Sequence, residues 1–144
     1  MTQPYRLPEG GRIDRSSPVS FTFDGKRFTG YAGDTLAAAL LANGVTTVAR
    51  SFKYGRRRGI VAAGADEPNA IFQVGATPGT QVPNVRGTQQ ALFDGLVAAP
   101  TSGWPSLERD ALGFFAGLGS GLMPPGFYYK TFCTPLPSGD GMKA

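Results

Sequence analysis

Two adjacent groups of residues have the types or spacing that chemistry needs. Arg50, Lys53, Arg56, Arg57 and Arg58 put five cations within nine positions, with no acid among them. Guanidinium groups of this kind form bidentate hydrogen bonds with carboxylates and phosphates. Directly after them comes Ala62-x4-Glu67-x2-Ala70. Cysteines at that spacing, C-x4-C-x2-C, supply three of the thiolates of an iron–sulfur cluster. Here no cysteine occupies any of the three places, and alanine has no donor atom. The three positions are therefore read as a retained loop with a structural role.

The basic run has several readings. Phe52 and Tyr54 interleave with the arginines, as stacking surfaces for single-stranded nucleic acid would. The same charges could meet a cofactor phosphate held by another domain, pair with carboxylates across an interface, or form a solvated face. Asp34 and Glu67 could be imagined as acid and base, but Asp34 reads more simply as a helix cap and Glu67 has no partner that residue types identify. Cys133, the one cysteine, is either inert or a thiol activated by Lys130 or the arginines. Gly117-Leu118-Gly119-Ser120-Gly121 resembles a dinucleotide fingerprint, but Pro124 and Pro125 block the helix such a motif must open. A flexible turn is the better reading.

Composition sets bounds on the rest. At 144 residues the chain suits one domain, perhaps with an appendage, and 41% hydrophobic content allows a modest core. With 21 glycines and 12 prolines, many turns and little helix are expected. The net charge of +4 permits attraction to phosphate, nucleic acid or an acidic partner. One cysteine excludes an internal disulfide, and the absence of histidine removes His-based catalysis and most zinc sites. No apolar run approaches the ~20 residues of a membrane span. The first residues lack the apolar region of a secretory signal. The expected location is the cytoplasm.

The elements that must position these groups can be read in chain order. Residues 1–17 read as a flexible polar tail, or a strap over a partner. Val19 to Tyr31 reads as a β-hairpin, with alternating Val19, Phe21 and Phe23 before an Asp24-Gly25 turn. Gly33 to Gly44 reads as a helix capped by Asp34, with Leu36, Ala37, Leu40 and Leu41 on one face and Asn43-Gly44 as its stop. Val45 to Val48 and Ala70 to Val74 read as strands, with residues 75–84 rich in turns. Val85 to Ala98 holds a further strand or hairpin around Asp94-Gly95. Beyond Pro100 a short helix is expected from Ser106, burying Leu107, Ala111, Leu112 and Phe115. The order predicts an α+β, β-grasp domain with an irregular C-terminal extension.

The runs FDGKRFTGYAGDTLAAALLANGV, RSFKYGRRRGI, EPNAIF, PNVRGTQQALFDGL, WPSLERD and PPGFYYKTF together resemble one family in order and spacing. It is the α-subunit of heterotetrameric sarcosine oxidase, in its N-terminal region, with the likeness covering roughly Val19 to Phe132. The resemblance implies a ferredoxin-like domain at residues 18–99. It also implies an extension at 100–144 leading towards a nucleotide-binding domain. Related subunits of hydrogen cyanide synthase and opine oxidases carry a [2Fe-2S] cluster in the equivalent loop, whereas the sarcosine oxidase form lacks one. By the resemblance the cluster positions fall on Ala62, Glu67, Ala70 and, for the fourth ligand, Thr88, so the chain sides with the cluster-free form. Where the family usually reads K-Y-H-R-P-R-G, this chain has Gly55 and Arg57 for the histidine and proline.

The implied role is a non-catalytic scaffold within an oxidoreductase complex. FAD, FMN, NAD and tetrahydrofolate would belong to the whole enzyme and none to this chain. Partners would be the remainder of the α-subunit and the other subunits. Arg50, Lys53, Arg56, Arg57 and Arg58 are the candidate interface or anion-binding residues. The chain would be a fragment or a separately encoded first domain. A 2Fe-2S electron-transfer domain and a basic nucleic-acid-binding module are the alternatives.

Overall fold

A computed structural model describes residues 3–51 and 54–118. Strands β1 (Asp14–Phe23) and β2 (Lys26–Ala32) form the expected antiparallel hairpin. Asp24 and Gly25 turn it with φ of 49° and 74°, the positive pair that a two-residue hairpin turn requires. Residues 14–17, which composition assigns to the tail, already belong to β1. The segment before them is anchored: Tyr5 N–H donates to Ala42 O, and the Arg6 guanidinium meets the buried Asp34 carboxylate at 2.6 Å.

Helix α1 (Leu36–Ala42) follows, one residue later in its capping than expected. Thr35 Oγ1 accepts from Ala38 N–H and is the cap, because Asp34 is taken by Arg6 and by Tyr31 N–H. Leu36, Ala39 and Leu40 are wholly buried, whereas Leu41, expected on that face, is 40% exposed. Asn43 and Gly44, with φ of 80° at the glycine, end the helix as the sequence implies.

Val45 to Val48 is not a strand. Val48 and Val45 serve the core directly, and the strand begins one residue later as β3 (Ala49–Arg50), paired with β4 (Arg57–Arg58). Strands β5 (Ile71–Val74), β6 (Val82–Arg86) and β7 (Leu96–Pro100) complete a five-stranded sheet of order β2-β1-β7-β5-β6. β1 and β7 run parallel at its centre, with Phe21, Thr22 and Phe23 beside Leu96, Val97 and Ala98. β5 lies between β6 and β7, so Asp94-Gly95 turns the chain into β7 without joining those two as a hairpin. Asp94 instead accepts from Ser20 N–H on β1.

Helix α1 packs on the sheet through Leu36, Leu40, Phe21, Phe72 and Leu96, and Phe23 meets Phe72 edge to face. Each fully buried side chain of this size stabilises by about 1.5–3 kcal/mol. The fold is α+β, as expected. Helix α2 (Ala111–Leu118) begins later than predicted. Leu107 is buried ahead of it, held outside any helix, and Phe115 is exposed where the periodicity had buried it.

Candidate functional site

The loop from Gly59 to Ala70 leaves the β3–β4 ribbon and enters β5. Val61, Ala63, Gly64, Ala65, Asp66 and Pro68 lie on the outside, while Glu67 is completely buried. Its carboxylate accepts four main-chain hydrogen bonds. Oε2 takes Val61 N–H at 2.8 Å and Ala62 N–H at 2.6 Å; Oε1 takes Asn69 N–H at 2.8 Å and Ala70 N–H at 3.2 Å. One side chain thus ties the start of the loop to its end. Burial alone would raise the Glu67 pKa, but the amides of Asn69, Ala62, Val61 and Ala70 together outweigh that and hold it below the ordinary value.

Other bonds frame the loop independently. Asn69 Nδ2 donates to Gly59 O at 2.8 Å, and Thr88 Oγ1 donates to Gly64 O at 2.8 Å. Arg86 donates to Ala65 O, and Gly87 N–H to Ala70 O. Ala62, Glu67 and Ala70 thus share one short loop, and the structure brings Thr88, eighteen residues beyond Ala70, onto it through Gly64 O. Ala70 is core, and Thr88 is a fastening. As a cluster site the set does not fit: two members have no donor atom, one offers a hydroxyl, and the carboxylate has both oxygens engaged by amides. The chain's single cysteine and lack of histidine leave no complete alternative set.

The basic run divides. Arg50 turns inward: its guanidinium donates to Gly55 O at 2.8 Å and, through Nε, to Leu107 O at 2.8 Å. Its own N–H donates to Ser102 Oγ. It is a clasp between the ribbon and the C-terminal segment. Arg56, Arg57 and Arg58 are exposed, and the Arg56 guanidinium lies 4.9 Å from the Tyr54 ring. Lys53 and Phe52 lie outside the described residues. A cleft of about 620 Å³, lined by Arg50, Arg58, Val61, Asn69, Asn84 and Thr101 among others, separates the ribbon from the loop.

Gly55 is buried with φ of 58° and lies against Gly113 of α2. A Cβ on Gly55 would stand 3.0 Å from Gly113 Cα and 3.3 Å from Asp110 Oδ2, so only glycine permits that approach. Around this contact Trp104, Phe114 and Phe115 are 63%, 67% and 67% exposed. Lys130, Cys133, Phe127, Tyr128, Tyr129, Phe132 and residues 119–121 of the glycine motif lie outside the described residues.

Residue types missed the anchoring by Glu67 because its partners are main-chain amides, which every non-proline residue carries. The available signal was an acid standing alone at a position spaced for a thiolate. Nothing distinguished Arg50 from its basic neighbours, or marked Arg6 as the partner of Asp34.

With this geometry in place, comparison with known proteins gives consistent matches. A family model described as a 2Fe-2S iron-sulfur cluster binding domain matches residues 16–103. The chain is 55% identical over 133 residues to sarcosine oxidase subunit alpha of Rhizobium meliloti (strain 1021), covering 92% of this chain and 13% of that protein. It is 38% identical over 114 residues to sarcosine oxidase subunit alpha of Corynebacterium sp. (strain U-96), covering 75% and 12%. The chain thus spans only 12–13% of the length of these relatives. The crystal structure of L-proline dehydrogenase from P. horikoshii superposes with a TM-score of 0.48 at 23% identity, over 65% of this chain and 17% of that one.

Proposed function

On the premise that the chain belongs to the family of 2Fe-2S iron-sulfur cluster binding domains, we propose that it is a member without a cluster. Its role is that of a scaffold and interface domain in a sarcosine oxidase-type complex. The observation that carries this reading is the Glu67 carboxylate, wholly buried and bonded to four loop amides where a ligand thiolate would be needed. Such a loop is complete without metal. The β-grasp domain runs from the start of β1 at Asp14 to the end of β7 at Pro100, with the extension after it. The complete enzyme oxidatively demethylates sarcosine to glycine, with FAD, FMN, NAD and tetrahydrofolate bound by other parts of the assembly. This chain contributes no catalytic group to that reaction.

The partner surface in this reading combines Arg56, Arg57 and Arg58 with the exposed rings of Trp104, Phe114 and Phe115. Arginine and aromatic residues together are the usual anchors of a protein interface. Two measurements test the reading. After incubation of the full chain with iron and sulfide, no visible charge-transfer absorption is expected; a stoichiometric two-iron spectrum overturns the cluster-free state. Replacing Arg56, Arg57 and Arg58 together with Gln should weaken co-purification with the rest of the oxidase and leave the circular dichroism unchanged. Undiminished assembly, or sarcosine turnover by the chain alone, overturns the scaffold role.

A further inference from the structure

We propose that the cradle of amides around Glu67 is a preformed anion site, occupied by a tethered carboxylate, which takes a small free carboxylate when the side chain is cut back. The inference deepens the cluster-free reading and rests on it. Successive main-chain N–H groups that converge on one point make anion-binding concavities, and many iron–sulfur and phosphate sites are of this kind. Here two successive pairs converge, Val61 with Ala62 and Asn69 with Ala70, one pair on each oxygen. The arrangement selects a planar group with two equivalent acceptors and a negative charge.

Three features make this a site with its own shape. Three bonds of the frame do not involve Glu67: Asn69 Nδ2 holds Gly59 O, Thr88 Oγ1 holds Gly64 O, and Gly87 N–H holds Ala70 O. Removing the carboxylate therefore leaves four donors still aimed at the vacated volume, a preorganised site whose ordering cost is already met. The recorded partners of the carboxylate are all main-chain amides, so its place is not specified by a cation that would move away with it. Finally, a neutral amide cannot satisfy the cradle. In Glu67→Gln, whichever way the side-chain amide is turned, its NH2 faces two N–H donors while its oxygen serves the other two.

The test uses the full chain as wild type, Glu67→Ala and Glu67→Gln, melted in sodium formate and in sodium chloride at equal ionic strength. In chloride both variants melt below the wild type. Formate should raise the Tm of Glu67→Ala by about 4–8 °C, saturably, as binding to the folded state alone requires. Wild type and Glu67→Gln, whose cradles are filled, should shift no more in formate than in chloride. An equal formate shift in all three overturns the proposal. If Glu67→Ala does not fold in chloride, recovery of its folded spectrum in formate supports the proposal, and the decision otherwise falls on amide hydrogen exchange in Glu67→Gln. There one pair, either Val61 and Ala62 or Asn69 and Ala70, should lose protection while the other keeps it. Unchanged protection of all four amides overturns the proposal. Iron and sulfide incubation of the wild type is read from its visible spectrum, so failure of the cluster-free reading is seen apart from the formate result.

Discussion

The loop 59–70 and the segment 104–115 are of similar length and both adjoin the β3–β4 ribbon, yet they deal with their surroundings in opposite ways. The loop has small residues outside and sends one carboxylate inward, where main-chain donors meet it on both oxygens. The later segment buries Leu107 alone among its large side chains of known exposure and turns Trp104, Phe114 and Phe115 outward. It is attached by the Arg50 clasp and the Gly55–Gly113 contact. The loop meets its own inward-facing amides from within. The later segment leaves three aromatic rings about two-thirds exposed, an amount of apolar surface that on a monomer often marks a functional patch.

The largest effect should come from breaking the closed loop. Glu67→Ala leaves four amides without an acceptor, and its cost in urea denaturation is expected at about 3–5 kcal/mol. A loss no larger than that of an exposed Glu→Ala change would remove the distinction between the two regions.

Opening the clasp comes next. Arg50→Ala should cost about 1–3 kcal/mol, because its bonds to carbonyls are charge-assisted. Limited proteolysis with an enzyme that cuts before large apolar residues should then cleave faster within 104–115, with cleavage before Ile60 or Val61 in the 59–70 loop unchanged. Equal acceleration in both would mean that the regions open as one unit.

Acid tests the loop without mutation. The folded Glu67 pKa lies below the ordinary 4.5, so the unfolded state binds its proton first as pH falls. The stabilisation is therefore present above pH 4.5 and is lost as pH drops through the folded value. Glu67→Gln should flatten the dependence of stability on pH below 4.5, and an unchanged slope would count against the loop as the titrating region.

The smallest change in stability is expected on the outward side. Phe114→Ser with Phe115→Ser should alter stability by no more than about 0.5 kcal/mol, since both rings are already solvated. The same pair should reduce fluorescence of an environment-sensitive dye and weaken self-association. Stability falling by several times that amount would mean that the rings are buried in solution.

What could be read in advance follows the range of the interaction. The hairpin was legible because Asp24-Gly25 and the alternation of Val19, Phe21 and Phe23 are local. The stop of α1 at Asn43-Gly44 was legible for the same reason. Its start was not: Asp34 has the right chemistry for a cap, but Arg6 reaches it across the fold, and Thr35 takes over. Val45 and Val48 have strand character, yet they fill the core from an irregular segment. At the candidate site, the three-position spacing located the loop, and the resemblance added Thr88. The anchoring of the carboxylate escaped because main-chain amides leave no trace in residue types. Arg50 looked like its neighbours until the fold put Leu107 O and Gly55 O beside it.

The parallel pairing of β1 with β7 has a mechanical consequence. Phe21, Thr22 and Phe23 run alongside Leu96, Val97 and Ala98 in the middle of the sheet. Tension applied between the chain entering β1 and the chain leaving β7 pulls the two strands lengthwise past each other. Their cross-strand bonds are then strained simultaneously, whereas a hairpin pulled at its open end separates one bond at a time. Force spectroscopy with handles at residues 13 and 101 should record a single high rupture peak. The domain would resist being drawn out between whatever adjoins it on its two sides, and would do so through the same strands that carry Phe21 and Leu96 into the core.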